Sequence, residues 1–172
     1  MGDIKAIINK LDWFLNEIIM AGTFSQIYLQ YVFAVKGRGN LLVTPWREEV
    51  FKYISGIIEG KKQKSIIVNG VSDHVHVLVG FRPSMSISDL IRDVKNNSSN
   101  FINKKNFVRG HFDWQDGYGV FSYSHSQIDK VYQYILNQEE HHKKVSFKDE
   151  YFSFLKKFEI EHEEKYLFDW IE

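Results

Sequence analysis

The order of hydrophobic patterns along the chain predicts an α+β fold: an antiparallel sheet laid out β-α-β-β-α-β, with helices on one face and one more helix after the last strand. Three observations predict it. Residues 24–36 and His74 to Phe81 are rich in β-branched and aromatic residues over strand lengths. Thr44-Pro45 and Ser86-x-x-Asp89 mark helix starts between strand patterns. Ser126, with Asp129 three residues on, opens a further amphipathic segment once the strands are used up. This order is the split βαβ, ferredoxin-like arrangement that RNA-recognition modules share.

Taken in order, Ile4, Ile7, Ile8, Leu11, Leu15 and Ile18 recur at helical spacing, so residues 3–19 read as an amphipathic helix. Residues 24–36 read as a long strand. Its length and apolar character suggest an exposed edge near a join between two merged sheets. A helix is expected from Thr44 to about Glu59. Ser65 to Val71 and His74 to Phe81 form two strands joined tightly around Ser72-Asp73. A second helix runs from Ser86 to about Asn103. Phe112 to Tyr123 is a strand with an irregular beginning, since Gly117 and Gly119 interrupt it. The Ser126 helix follows, and the tail carries a short helical pattern from Tyr151 to Phe158. There is no internal repeat, low-complexity tract or long linker. Residues 1–20 read as an N-terminal extension and 21–172 as one domain.

Composition narrows the function classes. Cysteine is absent, which excludes disulfides and thiolate–zinc sites and fits a reducing cytoplasm. No secretory leader or uncharged apolar run of membrane-spanning length is present, so a cytoplasmic location is expected. Aromatics make up 16% of residues, enough to serve both packing and stacking on bases. Formal net charge is zero, which argues against indiscriminate nucleic-acid binding. The charge is uneven, however. Lys36 to Lys64 holds seven basic and three acidic residues, Arg82 to Arg109 six and two, and Glu139 to the end six and ten. Two basic stretches brought to one side would make a phosphate-binding surface, although solvated helix faces account for them equally well.

The run Ser72-Asp73-His74-Val75-His76-Val77-Leu78-Val79 alternates, so His74 and His76 project side by side while Val75, Val77 and Val79 face a core. Two imidazoles on one rigid face are half of a metal site, or simply a hydrogen-bonded strand pair. Tyr134 and Gln138 lie four apart on the helix downstream and share a face. A phenol is a latent nucleophile, and a carboxamide oxygen is a hard donor suited to Mg²⁺ or Mn²⁺.

Together these residues resemble the single-tyrosine HUH transposases of the insertion-sequence-200-like family. The similarity runs from Thr23-Phe24-Ser25-Gln26-Ile27-Tyr28, through Asp73-His74-Val75-His76 and Trp114-Gln115-Asp116-Gly117-Tyr118-Gly119, to Tyr134-Ile135-Leu136-Asn137-Gln138 and on into the tail. The resemblance implies cleavage and rejoining of single-stranded DNA at hairpin ends. His74, His76 and Gln138 would hold one Mg²⁺ or Mn²⁺, and Tyr134 would form a 5′-phosphotyrosine. It also implies a homodimer whose active sites combine the histidines of one chain with the tyrosine helix of the other.

Arg92, Lys95, Lys104 and Lys105 are candidates for DNA phosphates, and each serves equally as part of a solvated helix face. His141 and His142 either approach phosphate or cap the helix end. Asp73 either orients an imidazole or serves only the turn. Trp114 and Tyr118 either stack on bases or pack in the core. Alternatives remain open: a hairpin-DNA-binding module that no longer transposes, a repeat-associated relative that processes genomic hairpins, and an unrelated zinc hydrolase. The hydrolase would need a third histidine or a carboxylate at the metal and a general base, and the sequence has no His-Glu-x-x-His stretch.

Overall fold

A computed structural model of the chain describes residues 24–37 and 40–170. The expected helix over residues 3–19 lies outside them. The elements are β1 (Ile27–Ala34), α1 (Thr44–Gly60), β2 (Lys64–Gly70), β3 (His74–Phe81), α2 (Ile87–Lys105), β4 (Gly119–Tyr123), α3 (Ile128–Leu136), α4 (Gln138–His142) and α5 (Phe147–Lys157). The four strands form one antiparallel sheet in the order β2-β3-β1-β4. This is the ferredoxin-like layout the patterns predict.

The sheet is buried on both faces because its two central strands are mostly apolar on both sides, with Gln30, His74 and His76 the buried polar exceptions. Leu29, Tyr31, Phe33, Val35, Val75, Val77 and Val79 meet α1 and α2 through Val50, Ile54, Ile58, Leu90, Ile91 and Val94. On the opposite face Val32, Ala34, Leu78 and Phe121 meet α3 and α5 through Val131, Ile135, Tyr151, Phe154 and Leu155. Val131 and Ile135 are one turn apart, and burying each contributes roughly 1.5–3 kcal/mol at most. The C-terminal helices thus form a third layer, and that layer faces the histidines.

Four local expectations need correction. β1 is not an edge. It pairs with β3 along Ile27–Ala34 and with β4 along Tyr28–Val32, leaving β2 and β4 at the rims. A strand apolar on both faces belongs in the middle of a covered sheet. The stretch from Phe112 to Tyr118 is not a strand but a loop with one bridge, Val35 to Trp114. Lys95 Nζ donates to the carbonyls of Gln115 and Gly117, and Gly117 takes φ +76°. Strand pairing therefore resumes only at Gly119.

The cap of the third-layer helix is Ser124 rather than Ser126. Ser124 and Gln127 cap each other reciprocally across a short 3₁₀ turn, His125–Gln127, that leads into α3. Ser86 behaves as expected, its hydroxyl accepting from the Asp89 N–H at 3.0 Å. α1 begins at Thr44 as expected, but Val43 rather than Thr44 takes the cap position, with Pro45 in the first turn.

Candidate active site on the C-terminal layer

His74 and His76 leave β3 on the face covered by α3, α4 and α5, and both are fully buried. His74 Nδ1 lies 2.7 Å from Asp73 Oδ1, which fixes the ring and directs Nε2 inward. That Nε2 is buried and has no hydrogen-bond partner. Phe147 of α5 stacks flat on the His74 ring at 3.9 Å between centroids. His76 Nδ1 lies 2.8 Å from the amide of buried Gln30, whose other end accepts from the Tyr123 hydroxyl at 2.8 Å.

Tyr134 and Gln138 arrive beside this pair, Tyr134 with its ring centroid 6.0 Å from that of His76. They sit on successive helices rather than one, because α3 breaks at Asn137 (φ −95°, ψ 24°). Spacing still keeps them a turn apart. The Asn69 amide of β2 donates to the carbonyls of Ile135 at 2.8 Å and Leu136 at 3.0 Å, tying the break to the sheet.

At the centre stands a residue that the sequence patterns do not single out. Glu150, in the first turn of α5, is 2% exposed. It accepts from the Tyr134 hydroxyl in a short hydrogen bond and from Gln138 Nε2 at 3.0 Å. Its Oε2 lies 3.2 Å from His76 Nε2 and 3.4 Å from both His74 Nε2 and His142 Nε2. His141 Nε2 is 3.4 Å from Oε1. A signal for Glu150 exists in the sequence. Ser146-x-x-Asp149 caps α5, the Ser146 hydroxyl accepting from the Asp149 N–H at 3.1 Å. That cap places Phe147, Glu150, Tyr151 and Phe154 on one buried face. An acidic residue at an apolar-face position is the mark to look for. Beginning the helix at Tyr151 hides it.

The electrostatics follow from this packing. Burial would raise the Glu150 carboxyl, but the surrounding imidazoles outweigh it and hold Glu150 far below the usual carboxylate range. Burial would lower His74, yet Asp73 and Glu150 raise it to about 9. At 3.4 Å the His74–Glu150 contact acts by Coulombic attraction more than by hydrogen bonding. Burial lowers His76. His76 Nε2 and Glu150 Oε2 share a hydrogen bond at 3.2 Å. Burial and then the Glu150 charge push the Tyr134 phenol far above its ordinary value.

The remaining predicted residues divide by layer. Arg92, Lys95, Lys104 and Lys105 lie on α2, across the sheet from the histidines. Arg92 pairs with Asp89, Lys95 holds the 115–117 loop, Lys105 pairs with Glu49, and Lys104 is exposed. Trp114 is a core residue whose indole N–H donates to Ser98. Tyr118 packs against Tyr31. A cleft of about 480 Å³ opens beside Tyr134 on the histidine side, lined by Lys130, Gln133, His141 and Lys144.

The donor set fits a divalent cation. His74, His76, His142 and Glu150 each offer one ligand atom, all within 4.8 Å of one another. The orphaned His74 Nε2 points into that group. The third histidine and carboxylate that a zinc centre would need are thus present without a His-Glu-x-x-His stretch.

Comparison with known proteins bears on the family and the fold. The family model described as transposase IS200-like matches residues 23–138. A crystal structure of a candidate transposase from Deinococcus radiodurans R1 superposes with TM-score 0.53 at 24% identity, covering 68% of this chain and 94% of that one. A REP-associated tyrosine transposase bound to a REP hairpin superposes with TM-score 0.55 at 12% identity, covering 72% and 73%. At these identities the two structures bear on the fold. A search of curated proteins finds no significant match.

Proposed function

We propose, from the premise that this chain belongs to the transposase IS200-like family, that it cleaves and rejoins single-stranded DNA beside hairpins with Tyr134 as nucleophile. The observation that carries the reading is the convergence of Tyr134, Gln138 and the buried pair His74 and His76 on one point, the Glu150 carboxylate. Tyr134 Oη would attack the scissile phosphorus in line. The P–O3′ bond breaks, the 3′-oxygen leaves as a hydroxyl, and the 5′-phosphate remains on Tyr134. Reversal by a 3′-hydroxyl rejoins strands without ATP, because the phosphotyrosine conserves the bond energy.

His74 and His76, with Gln138 as a third donor, would hold Mg²⁺ or Mn²⁺. A cation bound there supplies Lewis-acid polarisation of a non-bridging phosphate oxygen. Asp73 and Gln30 keep the two imidazoles turned inward. Glu150 Oε1 orients the Tyr134 phenol but does not deprotonate it, since the carboxylate is too weak a base and the phenol too weak an acid. Tyr134 therefore ionises only once positive charge arrives or the Glu150 contact is lost. DNA would reach Tyr134 through the cleft rimmed by Lys130 and Lys144. The second structural neighbour is bound to a REP hairpin, and a hairpin with single-stranded flanks is the substrate class proposed here. Repeat-associated hairpins are the alternative substrate.

The working unit is proposed to be a homodimer. In the single chain Tyr134 docks on its own histidines, so a site shared between chains would require α3 to exchange. No helix among the described residues is long and apolar enough to cross a membrane.

The experiment is covalent capture. The protein is incubated with a hairpin oligonucleotide bearing a single-stranded flank, and adducts are mapped by mass spectrometry. Wild type and Tyr132→Phe are expected to form the adduct, and Tyr134→Phe to bind without forming it. His76→Ala should bind yet fail to cleave. An adduct on any residue other than Tyr134, or undiminished cleavage by His76→Ala in EDTA, would refute the proposal.

A further inference from the structure

We infer that the cation shell of this chain extends to His142 and Glu150, two residues that lie beyond the segment the family model matches. The inference rests on the functional reading above and deepens it.

Three histidines present the same pattern. In each, Nδ1 meets an outer partner: Asp73 for His74 at 2.7 Å, Gln30 for His76 at 2.8 Å, and the Val145 carbonyl for His142 at 2.8 Å. In each, Nε2 lies within 3.4 Å of one oxygen, Glu150 Oε2, and that of His142 also hydrogen-bonds Gln138 Oε1 at 3.0 Å, a contact an ion would replace. A metal-binding imidazole is held in this way, with the outer nitrogen fixed and the inner one presented. The Gln30 amide serves either tautomer of His76. A half-turn of it, with Tyr123 reversing its hydroxyl, lets Nδ1–H donate and frees the Nε2 lone pair.

The separations are those a ligand shell can take up. A good N–H···O hydrogen bond spans about 2.9–3.0 Å. Neighbouring ligands on a tetrahedral ion with bonds of about 2.0–2.1 Å lie roughly 3.3–3.4 Å apart. The three Nε2–Oε2 separations are 3.4, 3.2 and 3.4 Å. They are near such edges, the 3.2 Å His76 contact serving meanwhile as a hydrogen bond, and the four donor atoms, all within 4.8 Å of one another, would close up on an ion. Gln138 joins the two added residues, its amide lying 3.0 Å from His142 Nε2 and 3.0 Å from Glu150 Oε1.

Three imidazoles and one carboxylate, with the Gln138 carboxamide proposed above as a fifth donor, form a borderline-soft site. Such a site prefers Zn²⁺, Co²⁺ or Mn²⁺, whereas Mg²⁺ prefers oxygen donors and keeps its waters. Of the two ions expected from the sequence, Mn²⁺ is favoured.

The test reads binding rather than catalysis. Full-length protein is titrated with Co²⁺ and followed by visible absorption, then with Zn²⁺ and Mn²⁺ in competition. One Co²⁺ per chain is expected, displaced by Zn²⁺ and not by millimolar Mg²⁺. Glu150→Gln and His142→Asn should each weaken Co²⁺ binding at least tenfold. Electron paramagnetic resonance of the Cu²⁺-loaded wild type counts coordinated imidazoles independently of any variant's folding, and three are expected. Two imidazoles, or affinities for both variants within tenfold of wild type, overturn the inference. In that case the strand histidines still bind the ion, and Tyr134 adducts still form, so the transposase reading stands. Cation binding by all four residues with no adduct under any ion has the opposite meaning: the shell is upheld and the proposed chemistry is overturned.

Discussion

Replacing Asn69 with Ala tests whether the nucleophile is positioned from the sheet. Asn69 lies on β2 directly across from His76, and its side chain hydrogen-bonds neither Tyr134 nor a histidine. Its amide instead donates to the Ile135 and Leu136 carbonyls, where α3 ends and its last carbonyls lack partners within the helix. Each net hydrogen bond contributes about 0.5–1.5 kcal/mol. One of the two is exposed, so water replaces it readily. The expected loss is therefore about 1–2 kcal/mol, below the sum of two buried bonds. Urea unfolding followed by circular dichroism should show a lower midpoint with an unchanged slope. Tyr134 lies one residue before the first of these carbonyls, so the loss should also reach the chemistry. Single-turnover adduct formation should slow by about tenfold, because small misplacements of a reacting group are costly. A midpoint within error of wild type together with an unchanged adduct rate would mean that Val131 and Ile135 hold α3 unaided. A faster adduct rate would mean that α3 must leave the sheet to work.

Two further outcomes follow from the same structure. In cation-free protein His74 is raised to about 9 from an ordinary 6.5, so its contribution is fully present below pH 6.5 and is lost as pH rises through 9. Thermal denaturation in EDTA should show stability falling by up to about 3 kcal/mol between those limits, and a flat profile there would contradict the His74 charge. At Gly70, a Cβ would stand 2.3 Å from the His74 carbonyl oxygen and 2.9 Å from Val75 Cα. Gly70→Ala should cost about 3 kcal/mol or more, whereas Gly56→Ala, with open space around it in α1, should stabilise by about 0.5–1 kcal/mol. Equal melting temperatures for these two variants would refute the close-approach argument.

What can be read in the sequence depends on whether periodicity alone carries the information. The limits of β3, His74 to Phe81, follow from strict alternation, and the structure has the same limits. Ser86 and its helix follow from a local capping rule. The central place of β1 is not legible, because apolar character says a strand is covered but not by what. The helices covering its second face come from more than ninety residues downstream. His74, His76, Tyr134 and Gln138 can be singled out by spacing and resemblance. Glu150 cannot, because its meaning lies in packing. It reads as one acid in an acidic tail until Ser146 is recognised as a cap and the helix face is counted from there. The α2 lysines illustrate the reverse. Basic residues near the histidine strand in sequence fold onto the far layer, because a crossover helix of this topology packs behind the sheet.

The tight β2–β3 hairpin has a consequence for how this chemistry could be lost or altered. Along β3, histidines and valines occupy alternate sides of one pleat. A slip of a single residue would push both imidazoles among Leu90, Ile91 and Val94 and present Val75 and Val77 to the tyrosine. No intermediate setting exists. The site is thus addressed by parity, and Gly70, pressed against the His74 carbonyl, helps keep the count. An insertion or deletion in the three residues after it would change the face of every group on the strand, whereas the same change in the loop before β4 would leave the histidines where they are.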